Sequence, residues 1–125
     1  MDNFDVISPS ALPLEENLKK ALTELLVLHL LSVKEYYIGE LTTVIHEKSG
    51  GALTIVFPYS AIYRLQQSGY LAESEKRIAP DGRRRQYYQI TDTGQNYLAQ
   101  LKKAYVRFSQ GVADVLREGG DSHEP

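Results

Sequence analysis

The sequence predicts a mainly α-helical domain carrying one small β-hairpin. Three observations point there. Apolar residues recur at helical spacing in four separate stretches, one pair of extended runs is joined by Pro80-Asp81-Gly82, and a dense block of positive charge flanks that turn. With 125 residues, 42% of them hydrophobic and 24% charged, the chain has the size and apolar content of one folded domain.

Residues 1–13 are polar and punctuated by proline, and are expected to form a flexible arm. Pro13 suits the first helical position, where its missing N–H is not needed. Glu15 and Glu16 then fall in the first turn, favourable against the positive helix end. Leu14, Leu18, Ala21, Leu22, Leu25 and Leu26 form a stripe that widens through Leu28, Leu30 and Leu31 until nearly the whole circumference is apolar. Such a helix is covered on more than one side, and in so small a domain the second cover is expected to be another subunit.

After a break at Lys34-Glu35, the spacing of Ile38, Leu41, Val44 and Ile45 predicts a short helix over 38–48, stopped by Ser49-Gly50-Gly51. A third helix begins within 54–58 and ends at Ser68-Gly69. Ala61, Ile62 and Leu65 mark its core side, and Tyr59, Ser60, Tyr63, Arg64 and Gln67 lie largely on the others. Extended runs at 70–78 and 83–90 flank the turn, which reads as a hairpin with Tyr88 and Ile90 on one face and Arg85 and Tyr87 on the other. Thr91 is placed to cap a last helix over 92–117. Along it Leu98, Leu101, Tyr105, Phe108, Val112 and Val115 alternate spacings of three and four, a heptad seam. At 1.5 Å per residue that helix is about 39 Å long, so its far half needs a partner. Residues 118–125 are expected to be a disordered tail.

The formal net charge is -2, which taken whole argues mildly against a nucleic-acid partner. The distribution reverses that inference. Residues 76–85 hold five basic residues (Lys76, Arg77, Arg83, Arg84, Arg85) and one acid, a net of +4, leaving 9 basic and 15 acidic residues elsewhere, a net of -6. Three helices, a basic hairpin and a further helix are the element order of a winged helix-turn-helix plus a long C-terminal dimerisation helix. Its third helix can enter a major groove about 12 Å wide and offer hydrogen-bonding side chains to base edges. Its hairpin, the wing, can neutralise phosphates. Tyr59, Ser60, Tyr63, Arg64 and Gln67 are the candidates for base contact; Lys76, Arg77, Arg83, Arg84 and Arg85 are the candidates for phosphate.

From about Leu25 to Leu101 the chain resembles the PadR family of bacterial transcriptional regulators. The residues that carry the resemblance are Ser49-Gly50-Gly51-Ala52-Leu53, Tyr59, Arg64-Leu65, Gly69-Tyr70-Leu71 and the run Arg84-Arg85-Gln86-Tyr87-Tyr88-Gln89-Ile90-Thr91-Asp92-Thr93-Gly94. One stretch departs from the pattern: family members usually enter the third helix through Ser-Pro-Gly-(Ser/Thr)-Leu-Tyr-Pro, whereas here Thr54-Ile55-Val56-Phe57-Pro58-Tyr59-Ser60 stands in its place. Since proline disturbs a helix least in its first turn, the helix is expected to start later, near Phe57 or Pro58. The resemblance implies a homodimer built by the last helix and the first, with Leu18, Leu22, Leu98, Leu101, Tyr105, Phe108, Val112 and Val115 at the interface. It further implies a pseudo-palindromic double-stranded DNA operator, a repressor as the expected sense of regulation, and a small aromatic effector at the dimer centre, as some small members bind. Tyr105 and Phe108 would line that effector site, although plain packing along a seam also accounts for them.

Other chemistry finds little support. Without cysteine there is no thiol nucleophile or thiolate site. His29, His46 and His123 are far apart and none is spaced for a metal. No phosphate loop, nucleophile elbow or acid/base pair is present, so no enzyme, cofactor or metal is expected. No signal segment or membrane span is recognised, and a cytoplasmic protein is expected. The alternative function, from a different class, is a winged-helix protein-protein interaction module that does not bind DNA and uses the acidic body instead.

Overall fold

A computed structural model of the chain describes residues 9–55 and 58–120. A short 3-10 turn, Pro9–Ala11, leads into α1 (Leu12–Val33). There follow β1 (Tyr36–Tyr37), α2 (Ile38–Lys48), α3 (Tyr59–Gln67), β2 (Leu71–Ile78), β3 (Arg84–Ile90) and α4 (Asp92–Gly120). The three strands form one antiparallel sheet in the order β1-β3-β2. This is the winged helix-turn-helix with a long C-terminal helix.

The core forms where the amphipathic faces converge. Val27, Leu28 and Leu31 of α1, Leu41 and Ile45 of α2, Ile62 and Leu65 of α3, Leu71 of β2, Tyr88 of β3 and Leu98 of α4 make one buried cluster, together with Tyr36 and Ile55. Three differences from the sequence reading have clear physical causes. The all-round apolar half of α1 is covered by its own chain, because α2, α3, β3 and α4 all pack against this helix; Leu28 and Leu30 therefore need no second subunit. Leu98, expected at the dimer seam, is 4% exposed and belongs to this core. The arm is shorter than expected, since residues 9–13 already lie in the 3-10 turn and the start of α1, and residues 118–120 continue α4. The rest of the expected arm and tail lies outside the described residues. As for the third helix, α3 begins at Tyr59 with Pro58 at its N-cap. The later start holds, as proline's lack of an N–H requires.

Two close packings set the wing and α4 in place. Thr91 caps α4 as expected: its Oγ1 accepts the Gly94 N–H at 3.0 Å while donating to the Gly69 carbonyl at 2.7 Å. Its own N–H donates to the Tyr70 carbonyl at 3.1 Å. The first turn of α4 is thereby pressed onto the α3–β2 connection, and only glycine fits at position 94. A Cβ there would overlap the Tyr70 carbonyl oxygen and lie 2.8 Å from Ile90 Cγ1. At the wing tip, Gly82 takes a φ of 84°, a conformation that glycine adopts without strain.

Candidate nucleic-acid interface

The helix α3 has nine residues with Ala61, Ile62 and Leu65 buried. Burying that face necessarily turns Tyr59, Ser60, Tyr63, Arg64 and Gln67 outward, and all five are exposed. Tyr59 and Tyr63 are more than half exposed. Arg64 is tied down at one point: its Nε donates to Glu24 Oε2 of α1 at 2.8 Å. Tyr97 of α4, stacked on Tyr70 with centroids 4.1 Å apart, stands beside this pair. Burial holds the Tyr97 phenol above its ordinary value, with the Glu24 charge adding to the effect.

The wing contains a bulge. Glu73 pairs with Tyr88 but Lys76 with Gln86, so Ser74 and Glu75 together face Tyr87. The shift brings Arg77 directly opposite Arg85. Like charges so placed repel, and the surroundings offset the repulsion. Arg77 donates through Nη2 to Glu35 at 2.8 Å and through Nη1 to Glu75 at 3.0 Å, with its guanidinium 3.9 Å above the Tyr87 ring. Arg85 donates through Nη2 and Nε to Asp81 Oδ2, at 2.6 and 3.2 Å, and lies 5.1 Å from the Tyr37 ring. Tyr37 and Tyr87 meet edge to face at 5.6 Å. Glu35 also accepts the Ser74 hydroxyl at 2.7 Å, which anchors the bulge. Partial desolvation opposes the charge of Arg77, but the hydrogen bond and charge of Glu35 outweigh it and hold the guanidinium above its ordinary range. Asp81 is held below the ordinary carboxylate value, first by the Arg85 hydrogen bond and then by the Arg83 N–H.

The ten candidate DNA contacts thus divide. Five share the exposed face of α3. Lys76, Arg83 and Arg84 are exposed on the wing, and their side chains form no ion pair among the described residues. Arg77 and Arg85 belong instead to the network that stitches the wing to β1. The Asp81 hydrogen bond, above all, holds the Arg85 guanidinium above its ordinary range, with Tyr59 of α3 a minor contributor. The carboxylates that sort these cations were not singled out from the one-dimensional pattern. Asp81 has a local signal, four residues before Arg85 across the turn; Glu24 and Glu35 have none, since their partners lie 40 and 42 residues away.

The candidate interface residues also separate. Leu98 is core and Leu101 packs against it. Leu22 is half-buried, while Leu18, Tyr105, Phe108, Val112 and Val115 are exposed, at 71% for Phe108 and 70% for Val115. Leu116, not singled out from sequence, is exposed on the same side. Tyr105 and Phe108 do come together, with Ala21, Leu22, Leu25 and Leu101, around a groove of about 400 Å³ between α1 and α4.

Among the described residues no three His, Asp or Glu side chains are close enough to hold a metal ion, and no helix is long and apolar enough to cross a membrane. His29 is exposed and inclined to the neutral form by partial desolvation and by Lys102 and Lys48; His46 lies 3.3 Å from the Thr54 hydroxyl.

Comparison with known proteins agrees with this architecture. The model of the transcriptional regulator PadR-like family matches residues 27–100. No relative among curated proteins matches the chain. Among solved structures, a PadR-like transcriptional regulator from Bacillus cereus is 25% identical, with a TM-score of 0.68, covering 81% of this chain and 97% of its own. A PadR family regulator from Eggerthella lenta is 26% identical, with a TM-score of 0.69 over 86% of this chain and 90% of its own. A transcriptional regulator from Clostridium thermocellum, 24% identical, shares the fold with a TM-score of 0.70, over 78% of this chain and 96% of its own. With the family model spanning more than half the sequence and solved PadR-like regulators sharing the fold, this chain belongs to the PadR-like family of transcriptional regulators.

Proposed function

We propose that this regulator is a sequence-specific DNA-binding homodimer that acts as a repressor. The observation that carries the reading is the pairing of an exposed polar face on α3 with three wing cations whose side chains form no ion pair among the described residues. The α3 face offers donors and acceptors to base edges in a major groove, and Lys76, Arg83 and Arg84 meet flanking phosphates. Arg77 and Arg85 hold the wing in shape.

The dimer rests on α4. Beyond Leu101 its apolar side chains Tyr105, Phe108, Val112, Val115 and Leu116 all remain exposed, and α1 flanks only Tyr105 and Phe108 among them at the groove. A stripe of that kind on a 29-residue helix fits a second copy of itself, with Leu18 and Leu22 of α1 at the margin. Two copies related by a two-fold axis place two α3 helices on a pseudo-palindromic site, with half-sites about 34–36 Å apart. The α1–α4 groove containing Tyr105 and Phe108 has the size of a small-ligand site and would be enclosed by the second copy, so a flat aromatic effector is its expected occupant. The cytoplasm is the compartment where such a regulator meets DNA.

The net of -6 outside the wing favours one other reading, a protein-interaction module. A mobility-shift assay with the DNA upstream of the protein's own gene separates the two. A discrete shifted complex at low salt supports the regulator, and a folded dimer that shifts no DNA supports the module.

A further inference from the structure

Arginine can read guanine by presenting two N–H groups to O6 and N7 at once, provided its planar fork is correctly oriented. The three ion-paired arginines discussed above differ in which nitrogens they spend. Arg77 gives both terminal nitrogens to carboxylates, and Arg85 gives Nε and one terminal nitrogen. Arg64 gives only Nε, to Glu24 at 2.8 Å. Its two terminal nitrogens make no hydrogen bond among the described residues, and its side chain is 58% exposed while that of Glu24 is 23% exposed. The carboxylate thus engages the Nε edge of the guanidinium between α1 and α3 and leaves both terminal nitrogens of an exposed side chain unspent.

We propose that Glu24 is a positioning residue which holds Arg64 by its Nε–H so that both terminal nitrogens are presented end-on to a guanine in the major groove. The proposal rests on the DNA-binding reading given above. A carboxylate competing with the base would occupy the terminal nitrogens, as Glu35 and Glu75 do on Arg77. Held from behind, Arg64 instead loses less rotamer freedom on binding than an unheld side chain would. Because α1 also lines the groove with Tyr105 and Phe108, the residue that orients the reading arginine belongs to the helix on which the dimer and effector sites would act.

The test is selection of bound duplexes from a library with a randomised window, using the full-length wild type and the variants Glu24→Gln, Glu24→Asp and Arg64→Lys, each checked for helical content. The wild type is expected to prefer guanine at one position of each half-site, and Arg64→Lys to lose that preference. Glu24→Gln, which cannot accept as a charge, and Glu24→Asp, which keeps the charge but falls short of Nε, should both lose it by at least about 5-fold, the lower end of what a bidentate arginine–guanine contact contributes. Binding of Glu24→Gln to random-sequence DNA should be unchanged or tighter, since a negative charge near the phosphates is gone. The proposal is overturned if either Glu24 variant keeps the guanine preference that Arg64→Lys loses, if Glu24→Gln binds every duplex more tightly at unaltered preference, or if Arg64→Lys loses no guanine. A wild type that enriches no sequence at all overturns the DNA-binding reading itself.

Discussion

Five basic residues flank the wing turn, yet only three should register as DNA contacts, and salt dependence can count them. The perturbation is Lys76, Arg83 and Arg84 changed together to Ala, set against Arg77→Ala alone. Each phosphate neutralised contributes about 0.9 to the slope of log affinity against log salt, so the triple variant should flatten the slope by up to about 2.7 for each subunit. Over a fourfold rise in salt that is a difference of about 40-fold in affinity from one subunit's contacts. Arg77 already gives both terminal nitrogens to Glu35 and Glu75, so its removal should leave the slope unchanged. Its loss should instead lower the thermal midpoint, because the guanidinium covers the Tyr87 ring and anchors β1 to the wing. The assay is fluorescence anisotropy of a labelled duplex titrated at four or five salt concentrations, with thermal melts of the same preparations. An unchanged slope in the triple variant, or a slope lowered by Arg77→Ala to the same degree as by one of the three, would refute the division of the wing cations.

Other outcomes follow from the packing and the ionisations. Gly94→Ala should destabilise the fold by about 2–4 kcal/mol in chemical denaturation, the sum of overpacking against the Tyr70 carbonyl and a disturbed Thr91 cap; a neutral or stabilising result would mean that α4 does not dock so closely. Asp introduced at both Phe108 and Val115, exposed at 71% and 70%, should yield monomers in sedimentation velocity, and a variant that stays dimeric removes α4 from the interface. Burial raises the phenols of Tyr88 and Tyr97 above their ordinary 10.0, so the folded chain holds these protons more tightly than the unfolded chain. Their contribution to stability is complete below pH 10.0 and is lost as pH rises through the raised values. Denaturation midpoints should therefore fall above that pH, and less steeply in Tyr88→Phe.

Much of this molecule is legible in its sequence because periodicity writes it there. The stripes of α1, α2 and α3, the Pro-Asp-Gly turn and the Thr91 cap all lie where local rules place them. What escapes those rules is short or distant. Two residues, Tyr36–Tyr37, are too few to show alternation, yet they form the third strand and supply the ring beneath Arg85. Spacing along α4 cannot say where the domain ends, since the three-four alternation that buries Leu98 in its own core continues unbroken to the uncovered Val115. A one-residue bulge at Ser74 and Glu75 sets Arg77 against Arg85, and two of the carboxylates that hold arginines, Glu24 and Glu35, reach them across some 40 residues of chain. The polar face of α3 is visible from sequence; which of its groups are held, and by what, is a tertiary property.

The central claim is that two copies of α3 read one DNA site under a two-fold axis. Hydroxyl-radical footprinting of the wild type on its selected duplex tests this most directly. The account predicts two protected patches of equal strength, centred about one helical turn (roughly 34–36 Å) apart and both weakened together by Asp at Phe108 and Val115. A single protected patch that the interface variant leaves intact would contradict it.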